Sequence, residues 1–213
     1  MENEKRKHNE IIINKTIENF KKRKFEALFF ENKEMATSFF FNNIKKENTI
    51  GYGGSRTLSQ LQIIERLRKE GYNLLDRNNE ANTPEIRAKI ERDNFFADVF
   101  IASCNAVSME GQLVNLDLYA NRVCATAFGP KDVYLFIGYN KITSDLNSAI
   151  YRTKNIAAPM NAIRFNKNTP CTKTGKCADC FSEERICATM TIIDWCIPEG
   201  RIKLLFINEE LGF

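Results

Sequence analysis

Four of the seven cysteines of this chain lie in one short segment, which reads CTKTGKCADCFSEERIC. Their spacing is C-x5-C-x2-C-x6-C, and the central C-x2-C step lets two thiolates of one turn bind the same metal. Gly175, just before this step, supplies the backbone freedom that such a turn needs. The pattern therefore predicts one metal centre with four ligands: Cys171, Cys177, Cys180 and Cys187.

The type of metal stays open at the level of the sequence. The single histidine, His8, lies in the charged N-terminal region, so the predicted shell contains sulfur alone. An all-sulfur shell suits zinc or an iron–sulfur cluster. The spacing matches neither the ferredoxin nor the zinc-ribbon pattern. The competing interpretation is that these thiols are reduced structural residues or form disulfides.

A second informative segment, TIGYGGSRTLSQLQIIERL, begins at Thr49 and has the pattern of a strand, a glycine loop and a helix. We expect T-x-x-Q at Thr57 and Gln60 to cap the helix. Backbone N–H groups at such a helix start favour a phosphate or a carboxylate, although a purely structural turn is the alternative. The predicted ligand-binding residues of this loop are Gly51, Gly53, Gly54, Ser55, Arg56 and Thr57.

Polar residues also follow other predicted strands. Open α/β sheets bind ligands at the carboxyl ends of their strands, so we expect these turns to meet the glycine loop in one anion-binding pocket. Taken singly, turn capping is the commoner use of Asn and Asp, so only the convergence of these residues would make a site. The residues assigned to the pocket from these turns are Asn115, Asp117, Asn121, Arg122, Asn140 and Lys141.

Composition limits the classes of protein to consider. A chain of 213 residues with 43% hydrophobic composition can bury one sizeable core. No apolar run approaches the length of a membrane span, and the N-terminus is charged, so we expect a cytosolic protein. In that reducing compartment, cysteines indicate metal binding or redox chemistry. The net charge of +4 is modest and lacks interleaved aromatic residues, so nucleic-acid binding is not expected.

Three continuous apolar segments predict buried strands of a parallel sheet: 97–102, 133–138 and 203–208. Helical patterns separate them, and Thr83-Pro84 is a typical helix start. The predicted fold class is α/β, with a mostly parallel sheet flanked by helices.

Residues 5 to about 45 show helical spacing of apolar residues instead. We therefore expect two domains or parts: an N-terminal helical appendage over 1–45 and an α/β domain over 46–213, with a cysteine-rich insert at 171–187.

Several motifs occur together in one order: GYGGSRTL, then ADVFIASCNAVSMEGQLVNLDLYANRVCATAFGPKDVYLFIGYNKI, then RTKNIAAPMNAIRF and a terminal LGF. From Thr49 to Phe213 the chain resembles the LUD family of lactate-utilisation proteins related to LutC. The resemblance implies a sheet of the NagB, ribose-phosphate isomerase (RpiA) and CoA-transferase type. It also implies a connection with lactate oxidation by a complex that carries iron–sulfur proteins. The cysteine insert departs from the simplest members of this family.

Three functions follow as hypotheses. The first is a redox accessory protein with a cysteine-bound cluster beside a pocket for a small acid. The second is a binding or assembly module with a structural zinc ion. The third is a CoA- or acyl-transferring enzyme, for which Glu110 is the candidate nucleophile. Cys104 and Cys124 are interpreted as inert core thiols.

Overall fold

The computed structural model describes residues 2–213, and these form two sheets and nine α-helices. The strands are β1 (Glu26–Phe30), β2 (Ile50–Tyr52), β3 (Val99–Ala102), β4 (Ala106–Ser108), β5 (Leu113–Asp117), β6 (Asp132–Gly138), β7 (Ile142–Thr143), β8 (Thr189–Ile193) and β9 (Ile202–Ile207). The helices are α1 (Glu2–Lys22), α2 (Lys33–Asn42), α3 (Arg56–Gln60), α4 (Ile63–Lys69), α5 (Pro84–Asp93), α6 (Asn121–Ala127), α7 (Leu146–Arg152), α8 (Ala158–Arg164) and α9 (Pro170–Thr174). No helix within this described range is long and apolar enough to cross a membrane.

The main sheet has five strands in the order β1-β9-β6-β3-β2, and all four pairings are parallel. The main sheet is buried on both faces, as two neighbouring residues of strand β6 show. Phe136 packs into the cluster on the side of α2 and α4, whereas Leu135 packs into the cluster on the side of α1. Helices cover both faces of these apolar strands, which confirms the predicted α/β class with a mostly parallel sheet.

The N-terminal region differs from the prediction. Helix α1 is present, but Glu26–Phe30 is a strand at the edge of the main sheet, paired in parallel with β9 from Glu26 opposite Lys203 to Phe30 opposite Ile207. Lys24, at φ +68°, turns the chain out of α1 just before this strand. The first 45 residues are therefore part of the sheet and its cover rather than a separate helical appendage.

A second sheet of four strands, in the order β7-β4-β5-β8, lies beyond the carboxyl end of β3. Strands β4 and β5 form an antiparallel hairpin, and β8 pairs in antiparallel fashion with β5 from Asp117 to Leu113. The cysteine-rich insert at 171–187 leads directly into β8. The small sheet therefore joins the insert to the polar turn after β5.

Helices α7 and α8 are joined without a break by a π-helical turn, Thr153–Ala157. Pro159 accounts for the wider turn, because proline has no N–H to donate and its ring crowds the carbonyl of the preceding turn. We call the whole segment from Leu146 to Arg164 the wall helix, since cavities lie on two of its sides.

Candidate functional site

The glycine loop connects β2 to α3 as predicted, but Ser55 rather than Thr57 caps the helix. Ser55 Oγ accepts a hydrogen bond from the N–H of Leu58 at 3.3 Å. Helix α3 is only one turn long, and the chain breaks at Gln62 with φ +52° before α4 begins. The predicted T-x-x-Q cap is therefore wrong, and the dipole of so short a helix contributes little to anion binding.

The three glycines of the loop have different surroundings. A Cβ atom on Gly51 would lie 2.3 Å from Asn94 Oδ1, and one on Gly53 would lie 2.9 Å from Arg122 Cγ. Both glycines are thus explained by close packing. Gly54 is exposed, and a Cβ atom on Gly54 would have Arg77 Nη2 as its nearest neighbour, at 3.7 Å. Of the three, Gly54 is the one that borders the pocket described next.

A small cavity of about 50 Å³ lies beside the glycine loop, at the carboxyl edge of the main sheet. Its walls come from the glycine loop, the turn after β3, the turn after β6, the start of α6, the wall helix and the last two residues of the chain. We call it the anion pocket. The lining residues are Gly54, Ser55, Arg56, Thr57, Ser103, Cys104, Asn105, Arg122, Lys141, Ala157, Asn161, Arg164, Gly212 and Phe213.

Lys141 forms the buried floor of the anion pocket and is only 3% exposed. Its ammonium group donates hydrogen bonds to Thr57 Oγ1 at 2.9 Å, Ser103 Oγ at 2.8 Å and the Cys104 carbonyl at 3.1 Å. Burial disfavours the charged form and lowers the pKa of Lys141 to about 8. A negatively charged ligand in the pocket would hold this group in its charged form.

Arg122 also lines the anion pocket, but its guanidinium is occupied within the protein. Its Nε and Nη2 contact Asp117 Oδ1 at 3.0 and 2.5 Å, and its Nη1 donates to the Ser103 carbonyl at 2.8 Å and to Asn115 Oδ1 at 2.5 Å. Nη2 also donates to Asn105 Oδ1 at 2.9 Å. Asn115 and Asp117 therefore hold Arg122 in position, and the Asp117 carboxylate neutralises its charge.

Two other arginines of the pocket have no such partner. Among residues 2–213, neither Arg56 nor Arg164 has a hydrogen-bonded or ion-paired acidic group. The Arg164 guanidinium lies over the rings of Phe165 and Phe213, and its Nε has no hydrogen-bond partner within the same range. Burial, and secondarily the positive charge of Arg56, lowers the pKa of the Arg164 guanidinium. Two guanidinium groups that repel each other across a small pocket form a place where an anion is stabilised.

The remaining predicted turn residues lie outside the anion pocket. Asn140 Oδ1 accepts a hydrogen bond from the Leu211 N–H at 3.0 Å, so Asn140 secures the end of the chain. Asn121 lines a wider groove of about 600 Å³, which shares Gly54, Arg122, Asn161 and Arg164 with the pocket. The pocket is therefore the inner end of a larger opening.

Sequence reasoning did not single out Arg164 or Asn161. They lie with Ala157 at steps of four and three residues, which places all three on one side of a helix. This spacing could have indicated that the three residues face one site. Ser103 was likewise missed, because a serine after a strand has no distinguishing pattern.

The four insert cysteines line one cavity of about 250 Å³, which we call the cysteine cavity. It lies against a different side of the wall helix from the anion pocket, where Lys154, Ala158 and Pro159 line it. Within residues 2–213, no three His, Cys, Asp or Glu side chains are already gathered closely enough to hold a metal ion. The metal centre stays a prediction, and the cavity places its four proposed ligands around one space.

Polar donors point at the sulfur atoms of the insert. The N–H of Asp179 donates to Cys177 Sγ at 3.4 Å, and Arg185 Nη2 lies 3.7 Å from Cys187 Sγ. Arg185 also donates to the carbonyls of Cys180 and Cys187, at 2.8 and 2.9 Å. The hydrogen bond to Cys187 raises the pKa of the Arg185 guanidinium. Sulfur atoms that ligate a metal commonly accept hydrogen bonds of this kind.

The candidates for nucleophilic chemistry have less support from their positions. Glu110 is exposed in the turn between β4 and β5, and it is not among the residues that line the anion pocket. Cys104 is buried in the pocket wall, and its burial raises the pKa of its thiol. Cys124 is exposed on α6, so its interpretation as a core thiol is wrong.

Comparisons with known proteins identify a family from the sequence and a similar fold among solved structures. A sequence profile of the LUD domain matches residues 13–207. The fold is similar to the crystal structure of a DUF162 family protein from Deinococcus radiodurans, with a TM-score of 0.51, 9% identity, and coverage of 95% of this chain and 97% of that chain. A ribose 5-phosphate isomerase from Plasmodium falciparum is similar over 53% of this chain and 52% of that chain, with 14% identity and a TM-score of 0.33. No curated protein matches the sequence.

Proposed function

Since the chain belongs to the LUD-domain family, we propose that it is an accessory or redox component of small organic acid utilisation, of the lactate type. In this role it binds a small anionic ligand in the anion pocket and a metal centre on the four insert cysteines. Its proposed protein partners are other members of an organic-acid oxidation complex.

One observation carries the ligand part of this proposal. Arg56 and Arg164 line the same small pocket, and within residues 2–213 neither has an acidic partner. The buried ammonium of Lys141 adds positive charge behind them. An unoccupied arrangement of like charges is unfavourable, and an anion that bridges the guanidinium groups removes the repulsion.

The size and chemistry of the pocket favour a carboxylate or a phosphate group. A volume of about 50 Å³ admits one such group, and the planar donor fork of arginine fits both. The rest of the ligand would lie toward the wider groove, which begins at Gly54 and Arg164. Lactate, pyruvate and phosphate-bearing molecules therefore belong in the same test.

Calorimetric titration of the full chain with lactate, pyruvate, other short 2-hydroxy acids, inorganic phosphate and nucleotide phosphates tests the proposal. Arg164→Ala should weaken binding of the best anion by roughly 10- to 100-fold, as expected for one charge-assisted hydrogen bond. Arg92→Ala, which removes an exposed arginine from α5 outside the pocket, is the matched control and should leave binding unchanged. Equal binding by Arg164→Ala and the unaltered protein would contradict the assignment.

The metal part of the proposal depends on the cysteine cavity. Cys171, Cys177, Cys180 and Cys187 surround one space, and hydrogen-bond donors face two of their sulfur atoms. Both zinc and iron–sulfur clusters are held by four thiolates, so this geometry supports either kind of centre. Metal analysis of anaerobically purified protein is the direct measurement.

A further inference from the structure

We propose that the ligand of this protein carries two anionic groups, one held in the anion pocket and the other in the wider groove beside helix α5. The inference rests on the proposed function, because it takes anion binding at Arg164 as given, and it names the class of acid that binds. Members of this class are small organic acids with a second carboxylate or a phosphate group.

The wider groove contains more positive than negative side chains. Its cationic residues are Arg77, Arg87, Arg122, Arg164 and Lys167, and its acidic residues are Glu91 and Asp117. Each of the two acids is already in an ion pair with an arginine of the groove, at 2.9 and 2.5 Å. Among residues 2–213, Arg87 and Lys167 have no acidic partner, and they line the groove but not the anion pocket. The groove therefore keeps positive charge of its own outside the pocket.

Helix α5 brings Arg87 to the same place as Arg77. Four residues of α5 line the groove, at steps that put them on one face of the helix: Pro84, Arg87, Ala88 and Glu91. Residues four apart on a helix have Cβ atoms about 5–6 Å apart, so Arg87 lies one turn from Glu91. Arg77 Nη1 contacts Glu91 Oε1 at 2.9 Å. Two guanidinium groups thus share this face with a single carboxylate, which neutralises only one of them.

Arginine nitrogens without hydrogen-bond partners are a second observation. The Nε atoms of Arg77 and Arg164 are both buried, and neither has a partner among residues 2–213. Arg164 lines the anion pocket, whereas Arg77 lines the wider groove and not the pocket. A buried N–H without an acceptor is unfavourable, so an acceptor at either place is stabilising. A ligand with two anionic groups supplies acceptors at both places.

The two places belong to one continuous opening. The residues that line both the pocket and the groove are Gly54, Arg122, Asn161 and Arg164. Gly54 marks the junction on the side of Arg77, since a Cβ atom built on it would lie 3.7 Å from Arg77 Nη2. A ligand with one group in the pocket therefore meets the charges of the groove as soon as it passes Gly54, and a short spacer between its two anionic groups is sufficient.

The experiment compares acids that differ by one anionic group. Calorimetric titration of the full chain at constant ionic strength uses lactate, then malate, 2-hydroxyglutarate and 2-hydroxyadipate, which add a second carboxylate at increasing distance. Inorganic phosphate and phosphoglycolate form a second pair. The best acid with two groups should bind about tenfold more tightly than its counterpart with one group, as expected for one further charge-assisted contact.

Two variants of helix α5 separate a specific contact from general attraction. Arg87→Ala should lower the affinity of the best two-group acid by about tenfold and that of lactate by less than about twofold. Arg92→Ala removes the same charge from the same helix, but Arg92 is exposed and lines neither the pocket nor the groove. This matched control should leave both affinities unchanged.

Three results would overturn the inference. Equal affinities for lactate and all two-group acids, with binding still dependent on Arg164, would refute the second group and leave the proposed ligand site in place. Equal losses in Arg87→Ala and Arg92→Ala would reduce the preference to the net charge of the protein. Absence of binding by every acid and phosphate would refute the proposed ligand site itself, and the inference with it.

Discussion

The anion pocket and the cysteine cavity lie on two sides of one wall helix but are built in opposite ways. The pocket gathers side chains from distant parts of the chain, such as Arg56, Lys141 and Arg164. The cysteine cavity takes all four of its proposed ligands from the single segment 171–187. The difference shows that a site made from one segment is visible in sequence spacing, whereas a site made by the sheet edge depends on the whole fold.

The shared wall also brings the two sites close together. Ala157 and Asn161 face the pocket, and Lys154 and Ala158 face the cysteine cavity. A helix with its side chains is about 10–12 Å across, so a ligand and a metal centre on two of its sides would be separated by roughly this distance or less. Their independence or coupling is therefore measurable.

The largest expected effect comes from a substitution that removes the buried ion pair beside the anion pocket and leaves the cysteine cavity unchanged. Asp117→Ala leaves the buried guanidinium of Arg122 without its carboxylate and removes the acceptor for the Val123 N–H. We expect a loss of about 3–5 kcal/mol in the free energy of unfolding, measured by denaturant titration.

Lys131→Ala is the matched control, because it removes one partner of the exposed pair with Asp98. Its cost should stay within about 1 kcal/mol. If Asp117→Ala were as mild as this control, the buried pair would not be the support of the pocket. Metal content of folded Asp117→Ala should remain that of the unaltered protein, since its cysteine ligands are unchanged.

Gly54→Leu should block the pocket while the protein stays folded. A Cβ on Gly54 meets nothing closer than 3.7 Å, so the larger side chain is tolerated and extends over the entrance shared by pocket and groove. Calorimetry should show at least a tenfold loss of anion affinity, with a change in unfolding free energy of about 0.5 kcal/mol or less. Unchanged affinity would place the ligand elsewhere.

The dependence of anion affinity on pH sharpens the role of Lys141. Its pKa in the folded, ligand-free protein is about 8, so its ammonium is charged below pH 8 and anion affinity should fall as the pH rises through this value. The expected change is several-fold, measured by calorimetry between pH 6.5 and 9.5. Lys141→Met should remove this dependence, and a persistent dependence would assign it to another group.

The same lysine affects stability with the opposite sign. Its pKa in the unfolded chain is about 10.4, so between pH 8 and 10.4 the unfolded state binds more protons than the folded state. The contribution of Lys141 to the unfolding free energy of the ligand-free protein should therefore rise with pH across this window. Comparison of the unfolding free energies of the unaltered protein and Lys141→Met isolates this contribution.

The smallest expected effect tests whether the two sites are coupled. Reduction of a redox-active metal centre adds one negative charge at roughly 10 Å from the anion, a repulsion of about 1.7 kcal/mol at an effective dielectric constant of about 20. Salt at about 0.15 M screens this repulsion, so the expected weakening of anion binding is about twofold. Calorimetric titration before and after dithionite treatment measures it. Cys177→Ser, which lacks the centre, should show no change, and equal affinities in both redox states of the unaltered protein would make the sites independent.

Several features of this protein were set by sequence patterns alone. The apolar runs of β3, β6 and β9 required burial on both faces, and Thr83 with Pro84 marked the start of α5, where Thr83 caps the helix. The family membership also followed from ordered motifs. These predictions succeeded because each depends on residues that are neighbours in sequence.

Other features required the tertiary structure. Glu26–Phe30 is a strand because β9, from the far end of the chain, offers it an edge, and no local pattern contains that pairing. Thr57 lies inside α3, which Ser55 caps, and its hydroxyl group accepts a hydrogen bond from Lys141. Whether an arginine is free or neutralised is likewise a property of its surroundings: Asp117 occupies Arg122, and no carboxylate among residues 2–213 reaches Arg164. Spacing determines which residues can share a turn, but the folded sheet decides which charges meet.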